Sequence, residues 1–184
     1  LSFHATKIFH TIEGGALVIN EDMLVEKARY LINFGIKNKE EIPELGTNAK
    51  MNEFQAAMGL CMLDQMELLN IKRNVIYDMY KQGLKSSVCF QKENRNASKN
   101  SSYFPILLES ELQLKKIEDA LNLKKIFPRR YFYPSLDTLS YINPKQFCEV
   151  SRDIASRILC LPIYPELKKS EQETIIETII NNLN

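Results

Sequence analysis

Histidine is scarce in this 184-residue chain: only His4 and His10 occur, and neither lies near a cysteine in sequence. The four cysteines, at positions 61, 89, 148 and 160, form no Cys-x-x-Cys pair and keep no regular spacing. No bound metal is therefore expected. Charge of one sign is missing too, since 24 Lys plus Arg face 23 Asp plus Glu for a net charge of +1, with a pI near 7.8. A chain built to coat nucleic acid or an acidic membrane needs a strong basic excess, so both functions are set aside. The longest apolar runs, such as residues 158–164, fall far below the ~18 residues of a membrane span. No start Met and no charged-then-apolar leader opens the sequence. The expectation is no secretory signal and a cytoplasmic compartment. There the cysteines read as reduced, mostly buried thiols, and the sequons at Asn96 and Asn100 as chance. No internal repeat is found.

What is present is ordinary globular material, with 45% apolar and 26% charged residues. The length suits one domain or two small ones. Leu1 to Ala5 alternates like a strand, and a second strand is expected over Ala16 to Asn20 after the Gly14-Gly15 pair. Glu21 or Asp22 opens a helix with Leu24, Ala28 and Leu31 on one face, and Gly35 ends it. Residues 36–51 carry Pro43 and Gly46 and read as a long loop, a kind of segment that is often functional. From Phe54 to Leu63 only Gln55 is polar. Such a helix is expected to be buried on all sides, in a larger core or against another subunit. A more amphipathic helix with Leu69, Ile76, Met79 and Tyr80 inward follows. Strands are expected at residues 88–90 and 103–108, with a polar loop between them. Ser110 with Gln113 and Ser170 with Glu173 read as capping boxes. The first cap precedes Leu114, Ile117 and Leu121; the second precedes a stripe of Ile176, Ile179, Ile180 and Leu183. Asn143 and Pro144 open a further helix with Phe147, Val150, Ile154 and Ile158 inward. The domain boundary is placed near residue 65.

The stretch that carries chemistry is Ser2-Phe3-His4-Ala5-Thr6-Lys7, followed by Glu13-Gly14-Gly15. A hydroxyl, a lysine five residues on and a glycine pair share a strand-to-turn segment. That set suits a phosphorylated aldehyde cofactor, with the amine attacking the aldehyde to give a Schiff base and the hydroxyl bonding the phosphate. Lysine is apt because desolvation readily lowers its pKa and frees the neutral amine. The plain alternative is a solvated loop lysine beside two turn glycines.

Three blocks in this order, Ser2–Lys7, Glu13–Val18 and Gly46–Ala57, together resemble the DegT/DnrJ/EryC1/StrS family of sugar aminotransferases. A fourth, Phe127-Pro128-Arg129-Arg130-Tyr131-Phe132-Tyr133-Pro134, is similar to the segment near the sugar site of members acting on dTDP-4-keto-6-deoxyglucose. Leu159-Cys160-Leu161-Pro162 is similar to the family's late Leu-x-Leu-Pro strand. The resemblance implies an α/β fold of the aspartate aminotransferase type. Residues 1–64 would end the large cofactor domain and its mixed sheet, and residues 65–184 would form a small α+β domain. It implies that Lys7 carries pyridoxal 5'-phosphate and shuttles the proton, that Ser2 holds the cofactor phosphate, and that Asn48 reaches that phosphate across a homodimer with shared active sites. Glu13 to Gly15 would shape the loop behind the lysine, and His4 would pack near the cofactor, with His10 a loop residue.

The implied reaction moves an amino group, from glutamate, onto a nucleotide-linked 4-keto-6-deoxy sugar. A different keto position, a UDP-linked sugar or a non-catalytic relative remain the alternatives. Lys50, Arg129, Arg130 and Tyr133 are candidates for the substrate side. Lys124, Lys125, Arg129 and Arg130 read equally as a solvated basic face; as a nucleic-acid patch they lack an aromatic platform. The resemblance places the family's ring-nitrogen aspartate and ring-stacking aromatic before Leu1. The expectation is therefore a C-terminal portion of an aminotransferase, one that binds cofactor poorly on its own and turns nothing over.

Overall fold

The computed structural model describes residues 1–144 and 146–183. The chain divides into two compact units, Leu1–Glu67 and the part from Leu68 onward. In the first unit the two expected strands do not form. At their ends an isolated bridge forms, Ser2 with Gly15. Around it Phe3 N–H donates to Gly14 O (2.9 Å) and Ala16 N–H to Leu1 O (3.1 Å). Alternating residues prepare a segment for a sheet, but a ladder needs a neighbour along its whole length. Among the described residues of this unit no further strand lies alongside these two segments.

Helix α1 (Asp22–Leu31) begins where the sequence places it, with Asp22 in its first turn and Arg29 in its last, both favourable to the helix dipole. None of its residues is buried. Gly35 follows at φ +77°, and a Cβ there would lie 1.7 Å from Glu44 O. Only glycine lets the chain pass so closely. Beside it Phe34 N–H donates to Thr47 O (3.0 Å), Thr47 N–H to Leu31 O (2.8 Å) and Ala49 N–H to Ile32 O (3.0 Å). The long loop is thereby fastened to the end of α1.

The two helices expected on either side of residue 65 are one, α2 (Glu53–Leu84), of 32 residues. Strong helix formers from Gln65 to Leu69 carry it through. Within this chain alone the helix is not covered on all sides: Phe54 is 87% exposed, Leu60 66% and Leu63 59%. Only one side of these turns meets the rest of the unit, through the buried Gly59 against Thr11 and Phe9.

The second unit holds a three-stranded antiparallel sheet in the order β1 (Cys89–Phe90), β2 (Phe104–Leu107), β3 (Ile158–Leu161). Phe104 pairs with Leu161 and Ile106 with Leu159, which puts all four on one face by the two-residue period. That face joins Ile76, Tyr80 and Leu84 of α2, Leu114, Ile117 and Leu121 of α3 (Glu111–Leu123), and Ile175 and Ile179 of α5 (Lys169–Ile180) in one core. Burying each such side chain contributes about 1.5–3 kcal/mol. Buried polar groups find partners: Tyr80 Oη donates to Pro162 O (3.0 Å) and Gln172 Nε2 to Ile76 O (3.0 Å). The Ser110 cap forms as read, its hydroxyl accepting from Gln113 N–H (3.2 Å).

Two other helix starts are corrected. Helix α5 begins two residues early, because the Glu171 carboxylate accepts from Lys168 N–H (2.8 Å) and so displaces the Ser170 cap. Its buried residues are then Gln172, Ile175, Thr178 and Ile179, while Ile180 is 41% exposed. Helix α4 (Glu149–Arg157) starts at Cys148 rather than Asn143. Phe147 and Val150 are exposed, and Ile158 opens β3. The cause is Asp137, a buried carboxylate that accepts from Cys148 N–H (3.0 Å) and from Arg152 Nε (2.7 Å).

Asp137 also makes stability depend on acid. The Ser135 hydroxyl, then Cys148 N–H and Arg152, hold its carboxyl at about 2 instead of 3.8. A depressed carboxyl stabilises the fold above its unfolded value, and that contribution disappears as pH falls through the folded one. The denaturation midpoint is expected to drop between about pH 4 and pH 2. Asp137→Asn should lower the midpoint at pH 7 and flatten the acid limb; an acid limb identical to wild type would contradict the assignment.

The cysteine expectation is corrected as well. Cys61, Cys89 and Cys148 are exposed and only Cys160 is buried, all four being free. The three exposed thiols sit at an uncovered helix face, an edge strand and a helix start, where the fold supplies no cover.

Candidate functional site

The loop carrying Lys7 is locked by its own backbone. Lys7 N–H donates to His4 O (2.9 Å) and Thr11 N–H to Phe3 O (2.9 Å), while Thr11 Oγ1 donates to Glu13 O (2.8 Å). A Cβ on Gly14 would lie 2.2 Å from Thr11 Oγ1, so the glycine pair admits the close return of the loop. Phe3 and Phe9 pack edge to face at 4.9 Å. His4 Nδ1 meets Thr6 Oγ1 at 2.9 Å, and its Nε2 lies 3.3 Å from Glu13 Oε1. His10 Nδ1 accepts from Ile12 N–H (3.3 Å). Two polar side chains of the loop stand apart from these bonds. Among the described residues, Lys7, half-buried, makes no side-chain hydrogen bond or ion pair, and neither does the exposed Ser2 hydroxyl.

A cavity of about 710 Å³ lies in the same unit, walled by Gly14, Ala16, Val25, Ile32 and Met51 among others. Of the residues singled out in the sequence, Lys50 lines it; Lys7, Ser2 and Asn48 do not. Lys50 Nζ donates to Asn33 Oδ1 (2.9 Å) and sits 4.4 Å over the Phe34 ring. Asn48 is exposed, and its backbone bridges Asn33.

Arg129, Arg130 and Tyr133 belong to the second unit. Arg129 pairs by its backbone with Cys160, at 3.0 and 2.8 Å, in an isolated antiparallel bridge beside β3. Arg130 Nη2 donates to Glu111 Oε1 (2.9 Å) and to Ser156 O (3.0 Å). Its guanidinium lies 3.6 Å from the centroid of the Tyr133 ring. Tyr103 and Tyr131 stack at 5.0 Å; burial first, then the Tyr131 hydroxyl, raises the Tyr103 phenol to about 12. Burial likewise pushes the Cys160 thiol to about 11, which makes it inert. Lys124 donates to Thr178 Oγ1 (2.8 Å), so two of the four clustered cations are tied to the body of the unit. The sequence reading missed Thr11, Glu111 and Asp137. Only Ser135-x-Asp137 carries a local signal, a short hydroxyl–carboxylate pair in an otherwise apolar stretch. Among the described residues no group of three or more metal-ligating side chains occurs, and no helix is long and apolar enough to cross a membrane.

The profile described as the DegT/DnrJ/EryC1/StrS aminotransferase family matches residues 1–180. The chain belongs to this family. It is 42% identical over 97% of its length to dTDP-4-amino-4,6-dideoxy-D-glucose transaminase of Shigella dysenteriae, covering 51% of that protein. To the Escherichia coli protein of the same name it is 30% identical over 93% of its length and 48% of the relative. Among solved structures, DesI in the presence of its TDP-sugar product superposes on all of the chain and 49% of that protein, with a TM-score of 0.88 at 26% identity. The chain spans about half the length of the curated relatives it matches. Its fold is the corresponding half of this α/β aminotransferase fold, and the family is one of pyridoxal-phosphate-dependent enzymes.

The residues on the first loop fit that cofactor in their chemistry. A lysine without an ion-pair partner is open to an aldehyde carbon, and an unpaired hydroxyl close to it in sequence is open to a phosphate.

Proposed function

We propose that the protein carrying this chain is a pyridoxal-phosphate-dependent aminotransferase that moves an amino group from glutamate onto a nucleotide-linked 4-keto-6-deoxy sugar. It works as a cytoplasmic homodimer in amino-sugar biosynthesis for surface polysaccharide. The observation that supports this most is the likeness to the Shigella dysenteriae transaminase along almost the whole chain.

Lys7 and Ser2 hold the cofactor, Lys7 by its amine and Ser2 by a hydrogen bond to the phosphate. When bound, the cofactor supplies an aldehyde and an electron-withdrawing ring that makes the adjacent carbon acidic. Lys7 Nζ, in its neutral form, takes the proton from the donor's amino-bearing carbon and later returns one to the sugar carbon that receives nitrogen. The tight backbone of residues 3–14 fixes the point from which the Lys7 side chain extends, which limits the space its amine must search. The uncovered side of α2, with Phe54, Leu60 and Leu63, packs on a second copy, and Asn48 reaches the partner's cofactor phosphate. Arg129 is a charge partner for the diphosphate. Arg130 and Tyr133 serve the sugar.

An assay with glutamate and dTDP-4-keto-6-deoxyglucose tests the reading. It should yield the 4-amino sugar and 2-oxoglutarate in equal amounts. No product with any nucleotide-linked 4-keto sugar would contradict it.

A further inference from the structure

The Nη2 group of Arg130 is used inside its own unit. One nitrogen bonds Glu111 on α3 at 2.9 Å and the Ser156 carbonyl of α4 at 3.0 Å, and the side chain is only 15% exposed. The flat face of the guanidinium then lies 3.6 Å from the Tyr133 ring centroid. Tyr133 is itself 50% exposed, and its hydroxyl has no hydrogen-bond partner among the described residues. A lysine, a compact charge with three donors, could serve both Glu111 and the carbonyl, but it has no plane to stack. Arginine stands here although its Nε–H is buried without a partner, an unfavourable feature that a lysine would not bring. The plane of the group is what this arrangement uses.

We propose that Arg130 is a positioning residue. Anchored by Glu111 and Ser156, it acts as a plate that fixes the Tyr133 ring, and that ring meets the sugar of the nucleotide-linked substrate. The ring offers an apolar surface suited to the methyl group of a 6-deoxy sugar and a hydroxyl suited to a sugar oxygen. Cation–π contact with the guanidinium holds the ring in one orientation before the sugar arrives. This assignment rests on the aminotransferase reading above.

Steady-state kinetics on the sugar, run beside the glutamate half-reaction alone, test it in Arg130→Lys, Glu111→Gln and Tyr133→Leu proteins. Arg130→Lys and Glu111→Gln should each raise the sugar KM about tenfold. The double variant should be no worse than either single one, because both act through one ring. Tyr133→Leu should raise the KM at least as much and erase the effect of Arg130→Lys. If Arg130 itself bound the diphosphate, Glu111→Gln would leave the KM unchanged or lower it, which overturns the proposal. Equal losses in the glutamate half-reaction and the sugar step would mark general damage and overturn it too. Should Arg130→Lys fail to fold, Glu111→Gln and Tyr133→Leu still decide the matter. Wild-type protein with bound cofactor but no turnover contradicts the aminotransferase reading. Wild-type turnover with an unaltered KM in the variants contradicts the positioning role alone.

Discussion

Lys7→Ala is expected to reduce transamination by the protein carrying this chain about 10³-fold or more, the scale of losing a positioned acid–base group. The fold should survive the change. The lysine is half-buried and bonds nothing through its side chain, and the loop around it is held by the Lys7 N–H to His4 O bond and the Thr11 bonds, none of which involves the amine. Far-ultraviolet circular dichroism and the thermal midpoint should therefore match wild type while the visible absorption of the bound cofactor is lost. Lys7→Arg should be as inactive as the alanine variant. A guanidinium stays charged at every accessible pH and can neither attack an aldehyde nor accept a proton. Retention of more than a tenth of wild-type activity in either variant would place the chemistry elsewhere.

Phe104→Ala should destabilise the second unit by about 3–5 kcal/mol, the usual range for emptying a large aromatic site. Phe104 is 1% exposed. Its ring meets Tyr77 at 4.7 Å, Tyr80 at 5.0 Å and Phe90 at 5.7 Å, so three rings lose their common neighbour and the edge strand β1 loses its anchor on α2. That amount is a large share of the roughly 5–15 kcal/mol that stabilises a typical domain. Ile106→Val, one methylene at the next inward position, should cost only about 0.5–1.5 kcal/mol. Urea denaturation at constant m-value measures both. A cost for Phe104→Ala below about 1 kcal/mol would mean that the ring cluster is not the centre of the core.

Elements decided by residues close in sequence were legible beforehand. The Ser110 cap and the buried Leu114, Ile117 and Leu121 lie within one helix, and α1 starts at an acid beside an apolar stripe. Elements decided by distant partners were not. The alternation of residues 1–5 and the run at 16–20 announce strands, yet only the isolated bridge between Ser2 and Gly15 and the bonds between Leu1 and Ala16 join them. Helix α4 begins five residues later than the local signals at Asn143 suggest, because Asp137, eleven residues upstream of Cys148, captures its N–H. Helix α5 shows competition between two nearby glutamates, with Glu171 taking the cap that Glu173 seemed placed to make.

The site divides in the same way. Ser2, Lys7 and the glycine pair stand together in sequence and share one loop in space. On spacing alone a solvated lysine near a turn is the plainer reading; only the resemblance of the linked blocks extending to Ala57 favours a cofactor loop. The pairing of Arg130 with Glu111 spans nineteen residues and two elements, so a cluster of cations suggested a binding face where one member is internal. Lys50, a candidate for the substrate side, bonds Asn33 and lies over Phe34, contacts set by the bridge between the α1 end and the long loop.

The most direct measurement is borohydride reduction of the cofactor-loaded protein, followed by digestion and mass spectrometry of the modified peptide. The added pyridoxyl group should sit on the nitrogen of Lys7 and on no other lysine. A label on a different side chain, or cofactor released unmodified after reduction, would contradict the role given to that nitrogen.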